Sequence, residues 1–87
     1  MDKRVYDSSN RELGKVRESG SYIQLYDHTG RDVGKIKASG VRTVLYDHTG
    51  REKARFDGRN TYDYMGRLLG SGDKLLSVMF PTMAKIK

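Results

Sequence analysis

The sequence predicts an all-β fold, built as four tandem antiparallel hairpins gathered into a small, shallow, pseudo-fourfold β-barrel. Three observations carry this expectation. A Tyr-Asp hexapeptide recurs as Tyr6-Asp7-Ser8-Ser9-Asn10-Arg11, as YDHTGR at 26–31 and again at 46–51, and as Tyr62-Asp63-Tyr64-Met65-Gly66-Arg67, with intervals of 20, 20 and 16 residues. Its fifth position is Gly30, Gly50, Gly66 or Asn10, the two residue types that enter the left-handed backbone region most cheaply. The segments before it, such as Tyr22-Ile23-Gln24-Leu25-Tyr26 and Val41 to Tyr46, are rich in β-branched and aromatic residues.

Each hexapeptide reads as a hairpin turn. Asp7, Asp27, Asp47 and Asp63 stand at the first corner, where a carboxylate accepts hydrogen bonds from the backbone two residues on. The next two residues take right-handed corners. The Gly or Asn that follows makes a bulge, and loop length then sets the strand register. Eight residues past each repeat tyrosine lies Gly14, Gly34, Ala54 or Gly70. A glycine inside a return strand marks the close approach of another backbone or a bulky side chain, and a neighbouring repeat tyrosine is the expected occupant. Ser19-Gly20, Ser39-Gly40 and Asp57-Gly58 are the turn signals between hairpins. The expected strands are 2–6, 11–17, 21–26, 31–37, 41–46, 51–56, 59–62 and 67–71, in hairpins at about 2–17, 21–37, 41–56 and 59–71.

The segment 74–80, KLLSVMF, is the most apolar of the chain. It is an extra C-terminal strand or a short helix. Alternation of Leu76, Val78 and Phe80 favours the strand, and Pro81 cuts the helical option short. Residues 1–80 are thus expected to form one repeat domain, with 81–87 as a mobile basic tail. A single hairpin cannot bury its apolar face alone. Four can if they close on themselves, which also removes exposed strand edges. Closure would arrange the repeat tyrosines, aspartates and arginines as rings.

The Tyr-Asp pair, the Gly-Arg turn, the following glycine and the fourfold repetition resemble the bacterial fourfold β-flower proteins, over residues 5 to about 72. That resemblance implies a small symmetric shallow barrel with an apolar centre, and it implies no activity. The YDxxGR pattern also resembles the YD repeats of Rhs-type shells, which use many more copies. Asn10, Ala54 and Ser71 depart from the pattern, and the fourth copy is the least regular.

Composition narrows the function. The chain has 87 residues, 17 Lys plus Arg against 11 Asp plus Glu, a formal charge of +6 and no cysteine. Disulfides, thiolate chemistry and Cys-based zinc sites are excluded. No apolar run reaches the ~18–20 residues of a membrane span, and MDKRVYDSSN lacks the apolar stretch of a secretory signal, so a cytoplasmic location is expected. No P-loop, G-x-S-x-G, H-E-x-x-H or dinucleotide fingerprint occurs, and neither an enzyme nor a cofactor is expected. His28 and His48 are the metal candidates. A metal needs three or four ligands, however, and Ser8 and Tyr64 hold the equivalent places, so no metal site is expected.

The candidate binding residues are Arg11, Arg31, Arg51 and Arg67, one per turn, with Lys15, Lys35 and Arg55 on the return strands. Arginine offers a planar donor fork suited to phosphate and carboxylate. The expected role is a non-enzymatic binding or assembly module that engages a protein or an anionic surface through one face. An electrostatic nucleic-acid binder is one alternative, since tyrosine interleaved with arginine suits single strands. A small inhibitor of a nucleoprotein machine is another. The open ends of a shallow barrel and the apolar KLLSVMF also admit a homo-oligomer.

Overall fold

The computed structural model describes residues 2–87. Its strands are β1 (Asp2–Asp7), β2 (Glu12–Ser19), β3 (Tyr22–Asp27), β4 (Asp32–Ser39), β5 (Arg42–Asp47), β6 (Glu52–Phe56), β7 (Asn60–Asp63), β8 (Leu68–Ser71) and β9 (Met83–Ile86), with one helix, α1 (Leu75–Met79). All four expected hairpins are present. They form one antiparallel sheet in the order β8-β7-β6-β5-β4-β3-β2-β1-β9.

The hairpin turns have one geometry. Asp27 N–H donates to Arg31 O, Gly30 N–H donates to Asp27 O, and the same pair of bonds recurs at Asp7, Asp47 and Asp63. The fourth corner has φ of 64° at Asn10, 89° at Gly30, 90° at Gly50 and 86° at Gly66. Each turn is followed by a register shift that leaves one residue unpaired, between Val5 and Tyr6, Leu25 and Tyr26, Leu45 and Tyr46, and Thr61 and Tyr62. A bulge of this kind bends its strand and raises local twist. Nine flat strands at about 4.8 Å would spread over about 38 Å, whereas the longest dimension is 31 Å, so the sheet is curled.

The curled sheet is not a barrel, and this corrects the expected closure. Strand β9 pairs with β1, taking the edge that β8 would need in order to close the ring, so β8 and β9 remain as edges. Fourfold symmetry fails with it. The fourth hairpin has strands of only four residues, and the repeat side chains lie in rows rather than rings. Residues 83–86, expected within a tail, are β9; Arg4 and Lys87 exchange both backbone hydrogen bonds beyond its end.

The segment 74–80 is a helix, not a strand. Its place explains the repeated glycine. Gly14 on β2, Gly34 on β4, Ala54 on β6 and Gly70 on β8 run across the concave face as a trough. A methyl group at Gly14 would sit 2.6 Å from the Phe80 ring, one at Gly34 3.0 Å from Met79 Cε, and one at Gly70 would meet the Lys74 stem. At Gly14 and Gly34 the nearest atoms are the main-chain carbonyls of the neighbouring repeat tyrosines, Tyr26 and Tyr46, which is the expected close backbone approach; the side chains over the trough come from α1 and its flanks, not from a tyrosine ring. Val5, Val16, Leu25, Ile36, Leu45, Ala54, Leu75 and Phe80 make the core. A strand at 74–80 would have left this concave face bare. Thr61, fully buried, ties the helix down: its hydroxyl donates to Gly72 O and accepts from Lys74 N–H.

Two kinds of glycine thus respond differently to substitution. Gly30 and Gly50 face open space but hold a left-handed φ. Valine at either should cost about 1–2 kcal/mol, seen as a fall in Tm of roughly 5–10 °C. Gly14→Ala drives a methyl into the Tyr26 main-chain carbonyl and the Phe80 ring, and overpacking of about 1–3 kcal/mol should lower Tm and increase tryptic cleavage after Lys74. Unchanged melting of Gly30→Val would contradict the bulged turn, and unchanged melting of Gly14→Ala would contradict the trough.

Candidate functional site

The turn aspartates are bound to their own loops. Asp27 Oδ1 accepts from Thr29 N–H at 2.8 Å, from Arg31 N–H at 3.0 Å and from the Thr29 hydroxyl at 2.6 Å, and Asp47 repeats the pattern with Thr49 and Arg51. Asp7 and Asp63 accept from the same two backbone positions. These bonds stabilise the ionised carboxylates. The Thr29 and Thr49 hydroxyls hold Asp27 and Asp47 below the ordinary carboxylate range, and the Arg11 and Arg67 N–H groups do so for Asp7 and Asp63. Asp57, between β6 and β7, is lowered by the Asn60 and Arg59 N–H groups.

The turn arginines do not form a converged site. Arg11 pairs with Asp7 at 3.1 Å and Arg67 with Asp63 at 3.3 Å, both through exposed guanidinium groups. Arg31 and Arg51 engage their aspartates through the backbone N–H. All four lie along one rim of the sheet. His28 and His48 are exposed in the same turns, and among the described residues no three His, Cys, Asp or Glu side chains cluster for a metal.

The return-strand cations are brought together with the tyrosines. Because side chains alternate across a strand, the outer face of the sheet carries Tyr6, Tyr26, Tyr46 and Tyr62. The register sets Lys15 opposite Tyr26, Lys35 opposite Tyr46 and Arg55 opposite Tyr62. Lys85 of β9 stands opposite Tyr6 in the same relation. Tyrosine and cation are half-buried in every row. Lys15 and Arg17 lie 5.9 and 5.8 Å from the Tyr26 ring centre, Lys35 lies 5.4 Å from that of Tyr22, and Lys87 lies 5.9 Å from that of Tyr6. These are cation–π distances. On the other side Tyr6, Tyr26 and Tyr46 face Glu12, Asp32 and Glu52, and Tyr62 faces Leu68. Those carboxylates are engaged, Glu12 by Arg4 at 3.6 Å, Asp32 by Gln24 at 2.6 Å and Glu52 by Arg55 at 2.9 Å. With Arg4, Arg17, Lys37, Arg42 and Lys87 on the same face, cations outnumber acids there.

Six cations of this face, Arg4, Arg17, Lys37, Arg42, Lys85 and Lys87, are not among the residues singled out from the sequence, and Lys85 and Arg42 matter most. Lys85 was placed in the tail, although Ala84-Lys85-Ile86-Lys87 mirrors Gly34-Lys35-Ile36-Lys37 and so carries the return-strand pattern. Arg42 was overlooked because its equivalent in the preceding repeat is Tyr22, so no repetition marks it. Comparisons with protein-family models, with curated proteins and with solved structures returned no match.

The aspartates set a pH dependence. Their pKa values are lowered on folding, so their contribution is complete above the unfolded value of about 3.9 and is lost as pH falls through the lower folded values. Tm should stay level from neutral pH down to about 5 and fall steeply below about 4. A thermal melt series by circular dichroism checks this, and a Tm that holds to pH 3 would contradict it.

Proposed function

We propose that this chain is a non-enzymatic binding module that engages an anionic partner through the outer face of its sheet. The observation that carries the reading is the row structure: four tyrosines, each set by register opposite a lysine or arginine, on a face with excess positive charge. Lysine and arginine supply the long-range attraction, and half-exposed tyrosine rings supply contact area with a polar tip. The turn chemistry supports the absence of catalysis from this reading. Asp27 and Asp47 commit Oδ1 to Thr29, Thr49 and the backbone, which is a turn-closing use of these carboxylates.

A second reading makes the partner a single-stranded nucleic acid. It is favoured by the alternation of aromatic rings and cations, on which bases stack while phosphates are neutralised. A self-associated form, with the β8 edge paired to another copy, is compatible with either partner.

Binding of the full chain to an oligothymidylate and to polyglutamate, followed by fluorescence anisotropy across a salt series, tests both readings. Affinity should fall steeply with salt, by a slope of about −0.7 per neutralised phosphate for the oligonucleotide. Replacing Lys15, Lys35 and Lys85 together by Gln should abolish binding while leaving the melt nearly unchanged. Tyr26→Leu with Tyr46→Leu should weaken the oligonucleotide only, if the second reading is right. Salt-independent affinity, or wild-type binding by the triple variant, would overturn the proposal.

A further inference from the structure

The outer face is not equivalent from row to row, and the departure is concentrated in the third repeat. In the second repeat the strand carries Tyr22, Gln24 and Tyr26, and the space beside it is filled. Lys35 lies over the Tyr22 ring at 5.4 Å, and the Gln24 amide donates to Asp32 at 2.6 Å and to Gly34 O at 2.8 Å. In the third repeat three positions change together. Arg42 replaces the tyrosine, Val44 replaces the glutamine, and Arg55 stands where the other return strands have Lys15 and Lys35. Val44 is buried and has no amide to span the gap. The tight Asp57-Gly58 connection also leaves short strands here, β6 of five residues and β7 of four. What opens is a pocket of about 290 Å³ lined by Arg42, Arg55, Asp57, Tyr62 and Gly66.

Arg55 is also incompletely bonded. Its Nη2 lies 2.9 Å from Glu52 Oε2. Arg55 Nε and Glu52 Oε2 are buried without a hydrogen-bond partner among the described residues. A buried donor left unpaired is costly, and a water or a ligand oxygen can satisfy it. Glu52 therefore holds the guanidinium without saturating it. Asp57 is the acidic wall of the pocket, and its Oδ1 is already taken by the N–H groups of Arg59 and Asn60 at 2.9 and 2.8 Å.

We infer that this pocket is a binding site for a phosphoryl group, held by the Arg42 and Arg55 guanidinium groups with Tyr62 as the ring wall. The inference rests on the outer face being the binding face and adds an anchoring point within it. Two guanidinium groups suit an oxyanion that accepts paired N–H bonds, and phosphate is the group arginine forks match best. With Nη2 kept on Glu52, a ligand oxygen at Arg55 Nε gives the guanidinium the partner it lacks. The volume takes a phosphate with a small substituent and lies at the low end of small-molecule sites. The same chemistry comes either as free phosphate or as a phosphoryl group carried on a larger molecule.

The test is a heteronuclear NMR titration of the full chain with inorganic phosphate and, in parallel, with phenyl phosphate, at ionic strength held constant with sodium chloride. The expected result is a saturable shift confined to signals of Arg42, Arg55, Asp57 and Tyr62. Arg42→Ala and Arg55→Lys should each weaken binding by about tenfold or more. Both variants keep the fold: Arg42 is exposed, and lysine already stands at the register of Arg55 in the three other rows. The Lys15, Lys35, Lys85 triple Gln variant should bind within about twofold of the parent, because those residues lie in other rows. Tighter binding of phenyl phosphate supports the site with a phosphoryl group on a larger molecule as the occupant, and tighter binding of inorganic phosphate supports it with the free ion. Shifts that fail to saturate and spread over all lysines and arginines would overturn the site, as would parental binding by both Arg42→Ala and Arg55→Lys. Absence of oligonucleotide and polyglutamate binding by the parent chain, with phosphate binding present, would remove the broader reading of the face and leave this site standing.

Discussion

Everything in this fold hangs on how one carboxylate closes one loop. Each turn aspartate accepts the N–H groups two and four residues on, which brings the chain round to a fourth corner with positive φ. That corner forces a bulge, and the bulge moves the register so that the strand glycine or alanine falls opposite Val5, Leu25, Leu45 or Thr61. A one-residue slip would carry every side chain to the opposite face. The core, the trough and the outer rows are thus consequences of the same local geometry, repeated.

The two faces then divide their work. The concave face is hollowed by Gly14, Gly34 and Gly70, and the hollow is filled by a helix too short to be stable by itself. The helix has no side-chain cap at Lys74 and is held through Thr61 and the burial of Leu75 and Phe80. The convex face has no such cover. Its tyrosines and cations support one another side by side, as cross-strand pairs do in sheets, and so remain available to solvent and to partners. Strand β9 joins the two. The chain leaves the helix through Phe80 and Pro81, and it returns to the sheet in the register that gives Tyr6 its lysine.

The hairpins were legible in the residues because their determinants are local. Asp at the first corner, Gly or Asn at the fourth and β-branched flanks all act within about six residues. The closing of the sheet was not legible, because it depends on which of two strands reaches the free edge of β1, a contest between segments far apart in the chain. For 74–80 the sequence admits a strand or a short helix and favours the strand, whereas the structure has the helix at 75–79, for the same reason. Its alternating Leu76, Val78 and Phe80 satisfy a strand pattern, and only the glycine trough makes a helical turn the better fit. Among candidate binding residues, Lys15, Lys35 and Arg55 were visible from repetition. Lys85 was hidden by its position after the proline, and Arg42 by being the place where repetition stops.

The account stands on the register that sets each tyrosine opposite a cation, including the row completed by β9. Cross-strand nuclear Overhauser effects of the full chain measure it directly. The prediction is backbone contacts between Lys15 and Tyr26, Lys35 and Tyr46, Arg55 and Tyr62, and Lys85 and Tyr6, all four in one spectrum. Random-coil shifts for residues 83–87, or contacts displaced by one residue in any row, would contradict it.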